Sequence, residues 1–127
     1  MSIIILITVA LLLQYTFFAM RAGMARGKSG IQAPAMTGDE NFERLLRVQM
    51  NTLEQLIITL PAMWMCAAYF NTLVAAVLGL AFLVGRFIYS AAYVNNQPTR
   101  SLGMIIGFGA NMLMLLCCVI AAVIKLF

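Results

Sequence analysis

Residues 3–22 read IIILITVALLLQYTFFAMRA. Before Arg21 the only strongly polar side chain in this run is Gln14. An apolar run of about 20 residues is what an α-helix needs to cross the hydrocarbon core of a bilayer. No basic segment precedes the run, and it is longer than the apolar part of a secretory signal. It therefore reads as a retained membrane helix rather than a cleaved leader.

Three further segments of comparable length lie downstream, and they predict helices over 42–70, 73–94 and 101–126. The chain has 127 residues, of which 64% are hydrophobic and 9% charged. Soluble domains run near half apolar and a quarter charged. The composition excludes a soluble globular domain and a disordered chain. Four helices and their loops use nearly the whole length, so the expected architecture is all-α and integral to the membrane. It is a four-transmembrane-helix up-down bundle forming a single membrane domain over residues 1–127.

The connections are short. Residues 23–41 form the longest, with Gly23, Gly27, Gly30, Pro34 and Gly38. Thr37 and Glu40 have capping-box spacing, and Asp39 and Glu40 suit the positive end of a new helix. The second helix is long enough, at about 43 Å, to exceed the hydrocarbon core, and Pro61 is expected to kink it. Gly103 and Gly107 have the spacing of close helix packing. Asn111 reads as a hydrogen-bonding residue between helices, and the ten methionines read as adaptable apolar packing.

Net charge is +4. Arg21, Arg26, Lys28, Arg44, Arg47 and Arg100 lie toward the first and third loops, and only Lys125 lies toward the opposite side. By the positive-inside rule the first and third loops face the cytoplasm and both termini face away from it. The basic balance thus encodes topology, and no nucleic-acid partner is expected. The chain has no histidine, which removes His-based acid–base catalysis and His metal sites. Cys66, Cys117 and Cys118 lie in apolar stretches without metal or redox spacing, and no metal site is expected.

Arg44, Arg47, Asn51 and Glu54 step by three, four and three. At about 100° per residue they fall within roughly 80° of arc. Arg86, Tyr89 and Tyr93 form a second stripe on the third helix, followed by Arg100. Ionisable groups within a membrane are costly and normally face the bundle interior or a water-filled cavity. Glu54 pairing with Arg47 or Arg86 would account for one such pair structurally. Five arginines (26, 44, 47, 86 and 100) against Glu43 and Glu54 leave a surplus of positive charge. Guanidinium groups stay ionised and suit carboxylates. The surplus points to an anionic ligand with more than one carboxylate, with Glu54 opposite an amine. Glutathione fits that inventory.

At these residues the sequence resembles the membrane-associated eicosanoid and glutathione metabolism (MAPEG) family, which includes the microsomal glutathione transferases. Residues 42–54, FERLLRVQMNTLE, are similar to the family's Glu-Arg-x-x-Arg-x-x-x-Asn-x-x-Glu signature. Gly85-Arg86 through Tyr89, Tyr93, Pro98 and Arg100-Ser101 are similar to its second block. The resemblance implies a homotrimer with glutathione sites between subunits near the cytoplasmic face. It implies that Arg47, Asn51, Glu54, Arg86, Tyr89 and Tyr93 hold glutathione from one subunit, with Arg26, Gln49 and Arg100 coming from the neighbour or its edge. Arg100 matches the arginine that stabilises the glutathione thiolate, and Ser101 follows it as in the prostaglandin-E-synthase-like branch. Gln55 stands where the leukotriene-forming branch has Tyr.

The expected function is that of a membrane-bound glutathione S-transferase, active in detoxification, with glutathione as co-substrate. Its other partner would be a lipophilic electrophile or a lipid hydroperoxide drawn from the membrane lipid. A bacterial inner membrane is the expected location, with the site facing the cytoplasm. The alternatives are a non-catalytic lipid- or glutathione-binding scaffold of the same type and a small multidrug-type transporter. The transporter would need an acidic residue in its first helix, and there is none.

Overall fold

The computed structural model describes Met1–Phe127 as four helices. These are α1 (Ser2–Ser29), α2 (Glu40–Tyr69), α3 (Thr72–Val94) and α4 (Arg100–Leu126). α2 and α3 form the central pair. α1 packs on one side of it and α4 on the other, so α1 and α4 do not touch. α1, α3 and α4 are each long and apolar enough to cross a membrane. α2 is the longest, at 30 residues, and carries its charges in its first half.

α1 extends past the expected end at Ala22 and stops at Ser29. Gly23 and Gly27 stay helical, and the stop is Gly30, which adopts φ 70° and ψ 14°. That left-handed cap favours glycine. Arg26 and Lys28 in the last turn oppose the partial negative charge of the helix end. The α2 cap also differs from the Thr37–Glu40 expectation. Asp39 is the N-cap, and its carboxylate accepts the Phe42 amide at 2.8 Å. Aspartate caps at least as well as threonine, and Gly38 at φ 127° turns the chain into it. Glu40 then lies inside the helix and pairs with Arg44. Asn71 caps α3 in the same way, accepting from the Val74 amide at 3.0 Å. α2 continues unbroken through Pro61.

α3 and α4 pack backbone to backbone. A methyl group on Gly103 would lie against the Tyr89 amide nitrogen and 2.6 Å from the Gly85 carbonyl oxygen. This close approach explains the Gly103–Gly107 spacing and brings the start of α4 against the last turns of α3. Farther from the loops, the bundle is closed by apolar contacts around Ile7, Leu11, Met63, Phe82 and Met114. Most of its buried polar groups there are matched, with Gln14 Oε1 the exception. Thr59 donates to Asn111 Oδ1 at 2.8 Å, and Asn111 Nδ2 donates to Gln55 Oε1 at 3.3 Å. Trp64 Nε1 donates to Thr8 Oγ1 at 3.0 Å.

Candidate functional site

Helical periodicity and the α3–α4 contact assemble four of the expected residues into one column. The Arg100 guanidinium lies over the Tyr93 ring, 5.4 Å from its centroid. Tyr93 stacks on Tyr89 with 5.4 Å between centroids and 33° between planes. The Arg86 guanidinium covers the Tyr89 ring at 4.2 Å. Two cations are thus separated by two aromatic rings, and each faces a negative ring surface.

Arg86 is only 1% exposed. A buried charge normally has an ionic partner, and the ion pairs of the chain, Arg44–Glu40 and Arg47–Glu54, do not include it. Its Nη2 donates to Thr52 Oγ1 at 2.9 Å, while its Nε has no acceptor. Asn51, 3% exposed, leaves its Oδ1 without a donor. Buried polar atoms without partners are uncommon in folded chains. These two share the α2–α3 region, and they offer one free donor and one free acceptor.

Arg47 Nη1 and Glu54 Oε1 are 3.7 Å apart, with side chains 49% and 54% exposed. Glu54 therefore pairs with Arg47 rather than Arg86. Such a loose, exposed pair contributes at most about 1 kcal/mol and leaves both groups open to a ligand.

A cavity of about 330 Å³ opens between α2, α3 and α4, lined by Gln55, Phe82, Arg86, Ser101, Met104 and Phe108 among others. It places Arg86 and Ser101 on one wall. Met104 and Phe108 are themselves 44% and 59% exposed, so the cavity communicates with the apolar outer surface of the bundle. A lining that combines Arg86, Gln55 and Ser101 with apolar side chains suits a ligand that is charged at one end and lipophilic at the other.

Two expected residues lie elsewhere. Arg26 donates to the Ala35 carbonyl at 2.6 Å and sits 4.6 Å over the Phe42 ring. Gln49 Nε2 reaches the Tyr15 hydroxyl at 3.4 Å. Both are on the α1 side of α2, and within one chain they do not meet the Arg86–Arg100 column. Arg44 is drawn to Glu40 and to the Tyr93 carbonyl, the latter at 3.5 Å, so its stripe position does not carry it into the column.

Thr52 escaped the sequence reading because a hydroxyl within an apolar span carries no charge signal. Its place one residue after Asn51 was the available clue. Arg21 donating to Ser90 Oγ at 2.6 Å was equally invisible, since Arg21 counted only toward topology.

The model of the MAPEG family matches residues 4–120. An uncharacterized protein of Synechocystis is 41% identical over 109 residues, covering 86% of this chain and 80% of the relative. Human microsomal glutathione S-transferase 2 is 36% identical over 96 residues, covering 76% of this chain and 65% of its own length. Leukotriene C4 synthase of Cavia porcellus is 32% identical over 101 residues, covering 78% of this chain and 67% of the relative.

Proposed function

The chain belongs to the MAPEG family, and from that membership we propose that it is a membrane-bound glutathione transferase acting on lipophilic electrophiles. The observation that carries the reading is the Arg100–Tyr93–Tyr89–Arg86 column, set beside a cavity that opens to the apolar surface. Glutathione has two carboxylates and one ammonium. Arg47, Arg86 and Arg100 supply positive charge for the carboxylates and the thiolate, and Glu54 supplies the carboxylate for the ammonium. The free Asn51 Oδ1 and Arg86 Nε match an amide donor and a carboxylate acceptor. The name of the relative microsomal glutathione S-transferase 2 agrees with this inventory.

In this reading Arg100 holds the sulfur as thiolate, and Ser101 hydrogen-bonds at the same centre. The sulfur attacks the electrophilic carbon, a C–S bond forms, and the leaving group departs with its electron pair. A lipid hydroperoxide would instead be reduced to an alcohol and water as two glutathiones become the disulfide.

Magnitudes decide what catalyses the step. A free thiol with pKa near 8.5 is about 3% thiolate at pH 7. Lowering that pKa by about two units, worth roughly 2.7 kcal/mol, raises the thiolate fraction about 25-fold. Nucleophilicity falls about eightfold, and the net gain is about threefold. Holding thiolate and electrophile together must supply most of the acceleration. A cavity mouth at the bilayer surface, where lipophilic electrophiles concentrate, serves that end.

Arg47, Glu54 and Arg100 all lie open on the outside of a single chain. Ionised groups facing lipid are costly, so a neighbouring subunit must cover them. A homotrimer in which the neighbour brings Arg26 and Gln49 to this face does so. The site faces the cytoplasm of a bacterial inner membrane, with both termini on the other side.

The test is an assay of glutathione conjugation and lipid-hydroperoxide reduction on the purified, detergent-solubilised protein and its Arg100→Ala variant. Glutathione-dependent turnover by the wild type that falls at least about threefold in the variant, the loss the thiolate arithmetic gives, supports the proposal. Absence of turnover with every lipophilic electrophile, despite glutathione binding, contradicts it and favours the scaffold alternative.

A further inference from the structure

A second polar cavity lies on the other side of the central helix pair, where the last turns of α1 meet the start of α2. It encloses about 290 Å³ and is lined by Arg21, Met24, Lys28, Asp39, Asn41 and Leu45 among others. None of these residues belongs to the Arg86–Arg100 column.

Arg21 and Lys28 are seven residues apart on α1, which places them on one helix face about 10 Å apart. Neither has a carboxylate within ion-pairing distance, because the chain's ion pairs are Arg44–Glu40 and Arg47–Glu54. Arg21 is held in place by Ser90 Oγ at 2.6 Å and by the rings of Phe17 and Phe18, 5.1 and 5.3 Å from its guanidinium carbon. Its Nε has no acceptor. Asp39 is the one acid on the wall, and its Oδ1 is taken up in accepting the Phe42 amide. The cavity wall therefore carries two cations against one carboxylate, and neither cation is in an ion pair.

An apolar track leads into it. Leu13, Phe17, Met20 and Met24 are 63%, 49%, 60% and 60% exposed. Their spacing of four, three and four places them within about 60° of one α1 face. The track runs down the membrane-spanning part of α1 and ends at Met24, itself part of the cavity wall. Acyl-chain surface beneath a net cationic pocket at the basic end of a span is the chemistry of an anionic phospholipid.

We propose that this cavity binds the phosphate headgroup of an anionic membrane phospholipid through Arg21 and Lys28, with an acyl chain lying along Phe17, Met20 and Met24. The site is separate from the proposed glutathione site and does not depend on it.

Native mass spectrometry of the detergent-solubilised full chain, titrated with phosphatidylglycerol or phosphatidylcholine, tests the proposal. Phosphatidylglycerol is expected to bind at least tenfold more tightly. One basic residue near a membrane surface contributes roughly a fivefold gain in affinity for anionic lipid. Lys28→Gln should therefore weaken phosphatidylglycerol about fivefold, and Arg21→Gln with Lys28→Gln should abolish the preference. Lys28 is exposed, so its variant remains informative if loss of Arg21 disturbs folding. Equal retention of the two lipids, or unchanged phosphatidylglycerol affinity in Lys28→Gln, overturns the proposal. Inorganic phosphate competing as strongly as the lipid would make this a phosphate site instead. Displacement of the lipid by glutathione would assign the cavity to the glutathione site and also overturn it.

Discussion

The two halves of α2 belong to one continuous helix but behave as different materials. Glu40 to Gln55 carries every ionised residue of the helix, and Leu56 to Tyr69 carries none. In the second half the buried polar groups find each other: Thr59 meets Asn111, and Asn111 meets Gln55. In the first half Asn51 keeps a free acceptor, the neighbouring Arg86 keeps a free donor, and Arg47–Glu54 is a loose, half-exposed pair. A bundle able to satisfy one set of buried groups could have satisfied the other. The polar groups of the far half of α2 pair within the chain, and those of the loop-proximal half keep unpartnered atoms, which is where the proposed glutathione site lies.

The largest expected effect comes from forcing α4 away from α3 beside the loop-proximal half. Gly103→Leu would drive a side chain into the Tyr89 and Gly85 backbone. It should cost about 3 kcal/mol or more, the upper range for overpacking, and separate Arg100 from Tyr93. Thermal unfolding in detergent measures the first effect. Loss of glutathione binding at temperatures where the variant stays folded measures the second.

Asn111→Ala probes the far half. It leaves the Gln55 side-chain carbonyl without its donor, while Thr59 keeps the Gln55 backbone carbonyl as acceptor, and should cost about 1 kcal/mol of stability. Glutathione affinity, measured by calorimetry, should stay within about twofold. A large drop in affinity with unchanged stability would make Asn111 part of the site and erase the contrast.

Glu54→Gln should do the reverse. A hydrogen bond to a charged group is worth about 1.5–3 kcal/mol, so glutathione affinity should fall at least tenfold. Unchanged affinity would return Glu54 to a purely structural role. The smallest effect belongs to the Arg47–Glu54 pair. A double-mutant cycle on stability should give less than about 1 kcal/mol of coupling, and a larger coupling would mark a structural ion pair.

Much of this contrast was legible in the sequence. Charge is nearly absent from a membrane chain, so where it occurs its spacing is visible, and the stripes Arg47–Asn51–Glu54 and Arg86–Tyr89–Tyr93 stood out. The glycines at 103 and 107 announced the α3–α4 contact. Neutral partners were hidden. Thr52 under Arg86 and Ser90 under Arg21 have no periodic or charge signature, and only packing reveals them. The end of α1 was misjudged because glycine stops a helix through a left-handed conformation, which Gly30 adopts and Gly23 and Gly27 do not. Arg26 and Gln49 stand apart from the column within one chain, and only the proposed homotrimer would bring them to it.

The most direct test of the account is an ultraviolet difference spectrum on adding glutathione to the purified protein at neutral pH. The wild type should develop the thiolate absorption band. Arg100→Ala should bind glutathione, stay folded and show no band. A full thiolate band in Arg100→Ala, or none in the wild type at saturating glutathione, would contradict the role given to Arg100 and to the column it completes.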